Sequence, residues 1–257
     1  MKYSEDIALA LELAEIADAI SLARFRALDL HVETKPDRSP VTDADRAVEL
    51  AIKQVLSDRR PLDGIVGEEF GNSGPVERKW IIDPIDGTAN FMRGVPVWAT
   101  LIALSVDGKA VVSVVSAPAL GRRWWAAPGL AKTSEIDGSI RDLRVSSISE
   151  LENASLSYNN LQLWDKFGYL DRLIALSRKV WRTRAYGDFY SYMLLAEGSV
   201  DVVAEHDLKL YDIAALIPIV EQAGGRFTAI DGPLDEETSS VLATNGQLHD
   251  TVATELT

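Results

Sequence analysis

Leu9, Leu13, Ile16 and Ile20 recur at spacings of four, three and four, which is the period of a helix with one buried face, and the pattern predicts a helix over residues 4–28. After a turn-rich segment from Lys35 to Pro40, Thr42 or Asp43 can cap a second helix whose apolar side carries Val48, Ile52, Val55 and Leu56. Asp45 then falls in its first turn. Two short apolar runs follow, Gly64 to Gly67 and Trp80 to Asp83, separated by a Gly/Asn/Ser/Pro loop, and both read as strands that deliver carboxylates at their ends. Residues 98–106, 109–117 and 123–127 read as successive strands, with Asp107-Gly108 as a hairpin turn. The first half is therefore expected to be helices on a largely antiparallel sheet.

From about Arg141 the rhythm changes to alternating strand and helix. Strands are expected at 155–158, 180–182, 200–204, 226–229 and 241–243, and helices at 161–177, 189–197 and 212–223. Pro218 falls inside the last of these helices and should kink it. The fold class is α/β, an α+β layered sandwich in which helix and sheet layers alternate. Its N-terminal half carries a largely antiparallel sheet and its C-terminal half a mixed, partly parallel one. No linker or repeat interrupts the chain, so a single domain over 1–257 is expected, with subdomains at about 1–140 and 141–257.

Charge changes the picture. The 257-residue chain has a formal net charge of −13, which argues against a nucleic-acid partner, since counterion release needs clustered Lys and Arg. It contains no cysteine and only three histidines, His31, His206 and His249, far apart in sequence. Thiolate chemistry is excluded and a His-rich zinc centre disfavoured, so any metal should be a hard, oxygen-ligated ion such as Mg²⁺, Mn²⁺ or Ca²⁺. The N-terminal apolar pattern is interrupted by Glu5, Asp6, Glu12, Glu15 and Asp18, unlike a signal peptide, and no apolar run is long enough to span a bilayer. A cytoplasmic protein without a membrane partner is expected.

The chemistry concentrates at Trp80-Ile81-Ile82-Asp83-Pro84-Ile85-Asp86-Gly87-Thr88-Ala89-Asn90. Two carboxylates three residues apart sit between a buried-strand pattern and a turn that can open a helix. Pro84 cannot extend a ladder, and N–H groups at the start of a helix face an anion. Metal and phosphate can meet at such a turn. Asp83 follows an apolar run, and a carboxylate so placed needs a cation or several donors.

The order of these segments resembles the inositol monophosphatase family of metal-dependent phosphatases, and the resemblance covers most of the chain. It rests on Val41-Thr42-Asp43-Ala44-Asp45, Gly67-Glu68-Glu69, Asp83 to Thr88 with Asn90, Tyr211-Asp212-Ile213-Ala214-Ala215 with Tyr in place of the usual Trp, and Ala223-Gly224-Gly225. It implies that Glu68, Asp83 and the main-chain carbonyl of Ile85 bind one Mg²⁺, and that Asp83, Asp86 and Asp212 bind a second. A third ion near Glu68 is suggested by the family, and Mn²⁺ is a candidate substitute. The catalytic residues implied are Asp45, Thr88 and Glu68: Thr88, backed by Asp45, would orient and deprotonate the attacking water, while the N–H groups of Gly87 and Thr88 would hold phosphate oxygens. Two cations would clamp the phosphate, lower the pKa of the water and stabilise the departing alkoxide, without a phosphoenzyme. A homodimer is implied as well.

Where inositol-specific members carry small residues at a helix start, this chain reads Arg184-Ala185-Tyr186-Gly187-Asp188-Phe189-Tyr190. With Glu205 upstream of Asp212, Asp188 would surround the leaving group with negative charge, which favours an amine or imidazolium. This wall, expected to involve Arg184, Gly187, Asp188, Glu205 and Asp212, is similar to that of the histidinol-phosphate phosphatase branch. It implies L-histidinol phosphate, an intermediate of histidine biosynthesis, as substrate. Tyr186, Phe189 or Tyr190 would pack on the ring, and His206 and Asp207 belong either to the wall or to a turn. The alternatives are an inositol-1-monophosphatase or broad-specificity sugar phosphatase, and a non-catalytic regulatory protein on the same fold. Trp98, Trp124 and Trp125 are expected in the core or a subunit interface, His249 at the surface, and Glu69 as a solvated neighbour.

Overall fold

The computed structural model describes residues 2–36, 39–231 and 234–257. Asp37 and Arg38, in the turn expected between Lys35 and Pro40, lie outside the described residues. The first half runs α1 (Ser4–Arg24), β1 (Val32–Thr34), β2 (Pro40–Thr42), α2 (Asp43–Arg59), β3 (Gly64–Gly67), β4 (Gly71–Ser73), β5 (Arg78–Asp86), α3 (Thr88–Met92), β6 (Ala99–Val106), β7 (Lys109–Ala117), β8 (Arg122–Ala127), β9 (Leu130–Ser134) and β10 (Ile140–Asp142). The second continues with β11 (Ser155–Tyr158), α4 (Leu161–Lys166), α5 (Leu170–Ser177), β12 (Arg182–Arg184), α6 (Asp188–Ala196), β13 (Val202–His206), α7 (Leu210–Ile213), α8 (Leu216–Gln222), β14 (Arg226–Ala229), β15 (Ser240–Thr244) and α9 (His249–Leu256).

Eight strands form one sheet in the order β10-β9-β8-β7-β6-β5-β3-β4, and five form another in the order β12-β11-β13-β15-β14. The first is antiparallel except for β3 beside β5; the second is parallel through β12, β11 and β13 and antiparallel beyond. Side-chain alternation along β6 shows how the layers stack. Ile102 and Leu104 face α1 and α2 through Leu9, Leu13, Val48 and Ile52, whereas Leu101 and Ala103 face α6 and α8 through Met193, Ile219 and Val220. The far side of α6 and α8 meets Val203 and Val241 of the second sheet, whose outer face is covered by α4, α5 and α9 through Trp164, Leu173 and Val252. Helix and sheet layers therefore alternate as expected. Trp98 and Trp124 are fully buried core residues.

The sequence pattern misplaces several boundaries. The first helix ends at Arg24, because Phe25 turns to an extended conformation and packs on Phe91 and Trp98. The helix expected at 161–177 is two, divided around Gly168, which has a positive φ of 80°. The helix expected at 212–223 also divides, between Ile213 and Leu216. Pro218 lacks the N–H that would continue the earlier turn, so it sits in the first turn of α8 rather than kinking one long helix.

The strand pattern holds one feature that shapes the site. β5 does not stop at Asp83: it pairs Asp83 with Leu101 and Asp86 with Ala99, so that Pro84 and Ile85 on one strand stand against Thr100 alone on the other. In a regular strand, residues three apart point to opposite faces. The extra residue, in a stretch containing Pro84, is a β-bulge that returns Asp83 and Asp86 to the same face.

Candidate metal centre and leaving-group cavity

Three elements bring acids together at the end of this bulged strand. Oxygens of Asp83, Asp86 and Asp212 lie within 4.8 Å of one another, as do oxygens of Asp45, Glu68 and Glu69. Main-chain donors aim each aspartate. The Asp83 Oδ1 accepts the Ile85 N–H at 3.0 Å, the Asp86 Oδ2 accepts the Phe189 N–H at the start of α6 at 2.7 Å, and the Asp212 Oδ2 accepts the Lys209 N–H at 2.7 Å. One oxygen of each is thus fixed and the other is left for the cluster. Asp45 is held by its own helix start, where Oδ2 accepts the Thr42 N–H at 2.8 Å and the Thr42 hydroxyl at 2.5 Å.

The electrostatics are those of a cation cage. Burial, reinforced by the charges of Glu68, Asp86 and Asp212, pushes the Asp83 carboxyl well above the usual carboxylate range, and burial with Asp188 and Asp212 does the same to Asp86. Burial raises Asp212 to about 7 and Asp45 to about 6. Grouped, desolvated carboxylates of this kind are relieved by a hard divalent cation, and the all-oxygen donor set fits one. Lys35 Nζ lies 2.7 Å from Glu68 and 2.6 Å from Glu69. Glu69 is therefore not a solvated neighbour: its side chain is 5% exposed and ion-paired with Lys35.

Thr88 opens α3 after Gly87, whose φ of 83° favours glycine. The Thr88 hydroxyl lies 3.1 Å from Asp45 Oδ1 and 2.9 Å from the Ile85 carbonyl oxygen. Beside the aspartates lies a cavity of about 680 Å³ whose walls include Gly187, Asp188, Glu205, His206 and Asp207 together with Asp86 and Asp212. Its lining among the described residues includes no lysine or arginine. Asp188 is in the left-handed region at φ 48°, and its Oδ2 accepts the Asn90 amide N–H at 3.0 Å. Burial pushes both Asp188 and Glu205 up, and Glu205 Oε2 accepts the Tyr192 hydroxyl at 3.1 Å.

Of the aromatics expected beside a ligand, only Phe189 lines this cavity; Tyr190 packs near Trp124, and the Tyr186 hydroxyl accepts from Arg182. Arg184 is exposed, donates to the Thr183 carbonyl and stands outside the cavity lining. His206 lies in an aromatic cage of Trp164, Phe167 and Tyr169, and Asp207 makes the turn after it with φ 65°. His249 is not at the surface. It is 2% exposed, with Nδ1 3.0 Å from the Thr244 hydroxyl and Nε2 3.0 Å from that of Thr228. Asn159 and Tyr192, which also line the cavity, carry no sequence signal and emerge only from the packing of β11 and α6.

Carboxylates grouped in this way within alternating helix and sheet layers could hold a metal ion, as a metal-dependent phosphoric monoester hydrolase requires. The chain belongs to the inositol monophosphatase family, whose family model matches residues 2–257. It is 55% identical to the histidinol-phosphatase of Mycobacterium tuberculosis, over 98% of each chain. It is 53% identical to that of Streptomyces coelicolor, over 96% of this chain and 95% of the relative. A solved inositol monophosphatase from Zymomonas mobilis superposes with a TM-score of 0.86 at 36% identity, covering 100% of this chain and 99% of that one. No helix among the described residues is long and apolar enough to cross a membrane.

Proposed function

We propose that this chain is a Mg²⁺-dependent phosphomonoesterase that hydrolyses L-histidinol phosphate to L-histidinol and phosphate. The observation that carries the substrate is the cavity wall, where Asp188 and Glu205 meet no lysine or arginine among the described lining residues. An anionic second substituent, as in a bisphosphate, would be repelled there. An ammonium or imidazolium would be attracted. Two relatives above 50% identity, both histidinol-phosphatases, support the same substrate.

Glu68, Asp83, Asp86 and Asp212, with the Ile85 carbonyl, are the residues suited to hold two divalent cations, and Glu69 lies where a third could be held. When bound, such ions supply positive charge to the phosphate and the leaving oxygen and make water a stronger nucleophile at neutral pH. The protein's own groups do the rest. The Thr88 hydroxyl orients the attacking water and passes its proton to Asp45, whose 3.1 Å separation from Thr88 suits a relay. Main-chain N–H groups of Gly87 and Thr88 bind phosphate oxygens, while Asp188 and Glu205 hold the cationic end of the leaving group. Displacement is direct: the water oxygen bonds to phosphorus as the ester P–O bond breaks. The assembly is proposed to be a cytoplasmic homodimer, with Mn²⁺ able to replace Mg²⁺.

Phosphate release with Mg²⁺ tests the proposal. L-Histidinol phosphate should exceed myo-inositol 1-phosphate in kcat/KM. The reverse order would make the chain an inositol or sugar phosphatase, and no release from either would contradict an enzymatic role.

A further inference from the structure

We propose that Glu49 is a positioning residue for Glu68: its buried carboxylate fills a pair of main-chain N–H groups and so fixes the turn from which Glu68 projects toward the other acids. The inference rests on the proposal that Glu68 holds a divalent cation. Glu49 lies four residues after Asp45 on α2, so both carboxylates stand on the same face of that helix, one turn apart. Asp45 reaches the acids themselves, beside Glu68 and Glu69. Glu49 reaches the main chain that follows Glu68.

Glu49 is 0% exposed. Its Oε2 accepts the Glu69 N–H at 2.7 Å and its Oε1 accepts the Phe70 N–H at 3.1 Å. A buried carboxylate is costly to desolvate, and a side chain placed there only to fill space would be better apolar. Its chemistry matches the turn: a carboxylate is acceptor-only and can serve two donors, whereas a glutamine would turn its own NH₂ toward one of them. The main chain makes room for it. A Cβ on Gly67 would lie 1.8 Å from Glu49 Oε1 and 2.3 Å from its Cδ, so glycine stands here for space, not for an unusual φ.

The turn is pinned from the other side too. The Glu68 N–H donates to the Ile82 carbonyl at 3.2 Å, one residue before Asp83 on β5. Glu68 thus sits between an anchor on β5 and an anchor on α2. With the second anchor gone, the two N–H groups after Glu68 lose their partner and the carboxylate loses a fixed approach to the neighbouring acids.

The test is Mn²⁺ binding to the full chain without substrate, followed by titration with paramagnetic resonance detection, in Glu49→Gln, Gly67→Ala, Glu68→Gln and the Glu49→Gln/Glu68→Gln double variant. Outer-shell partners of metal ligands are typically worth about 10-fold to 100-fold in affinity, and Glu49→Gln should weaken Mn²⁺ binding by about that factor. Gly67→Ala, which displaces the same carboxylate without touching it chemically, should act likewise and keeps the test open if Glu49→Gln does not fold. Adding Glu49→Gln to Glu68→Gln should cost almost nothing further, because the anchor matters only through the ligand. Faster amide exchange at Glu69 and Phe70 in Glu49→Gln is expected alongside. Unchanged Mn²⁺ affinity in Glu49→Gln or Gly67→Ala, with Glu68→Gln impaired, would overturn the inference alone. Unchanged affinity in Glu68→Gln would overturn the metal role of Glu68 and this inference with it.

Discussion

The Thr88 hydroxyl is 3.1 Å from Asp45 Oδ1 and 2.9 Å from the Ile85 carbonyl oxygen, and its single hydrogen can be given to only one of them at a time. When the hydrogen is turned toward Asp45, the lone pairs of Thr88 are free to accept from a water on the phosphate side. Thr88→Ala should therefore lower kcat by about 10²-fold to 10⁴-fold with a much smaller change in KM, the usual range for losing a proton-transfer group. Asp45→Asn should do the same, and the double variant should be little worse than either, since the two act as one unit. Steady-state kinetics check this; additive losses would separate the residues.

Asp188 is held by the Asn90 amide at 3.0 Å, with its carboxylate at the wall of the acidic cavity. Asp188→Ala should raise KM for L-histidinol phosphate by about 10-fold or more, the scale of one lost charge-assisted contact, and should spare a neutral alcohol phosphate. Equal losses on both substrates would remove Asp188 from recognition.

The carboxyl of Asp212 is raised to about 7 by burial. A carboxyl raised in the fold stays protonated where the unfolded chain has already released its proton. Stability of the metal-free protein is therefore lost as pH climbs from the unfolded value toward about 7. Asp212→Asn removes that penalty, so the metal-free variant should gain in Tm over the parent more at about pH 8 than at about pH 5. Mg²⁺ should reverse the order at about pH 8, stabilising the parent and not the variant, because cation binding needs the deprotonated carboxylate. Calorimetry at the two pH values, with and without Mg²⁺, reads both effects.

His249 is held neutral by burial, which lowers it to about 4 from the ordinary imidazole value of 6.5. For a base depressed in this way the unfolded chain binds the proton first, so the contribution of His249 is intact above about pH 6.5 and fades toward about pH 4. His249→Ala leaves the Thr228 and Thr244 hydroxyls without this partner and should cost about 1–3 kcal/mol near neutral pH. The loss should shrink on acidification. A loss independent of pH would contradict a buried neutral imidazole.

What the sequence made legible follows from how local each signal is. The cap at Thr42, the strand into Asp83 and the Gly67-Glu68-Glu69 turn are short patterns with their own physical cause, and all lie where expected. The bulge that brings Asp83 and Asp86 to one face needs the ladder register with β6, which no window of β5 contains. Nothing local to His249 marks it as buried; the hydroxyls that accommodate it come from β14 and β15. Glu49 reads as one more charge on a helix until the turn after Gly67 folds onto it. The division of the helix expected at 212–223 follows from Pro218, but its position depends on the packing of Leu216 and Ile219 against the first sheet.

Anomalous diffraction from crystals soaked with Mn²⁺ tests the acidic cage most directly. The account predicts two strong peaks, one bounded by Asp83, Asp86 and Asp212 and the other by Glu68, Asp83 and the Ile85 carbonyl. Peaks absent from this cluster, or held by other residues, would contradict it.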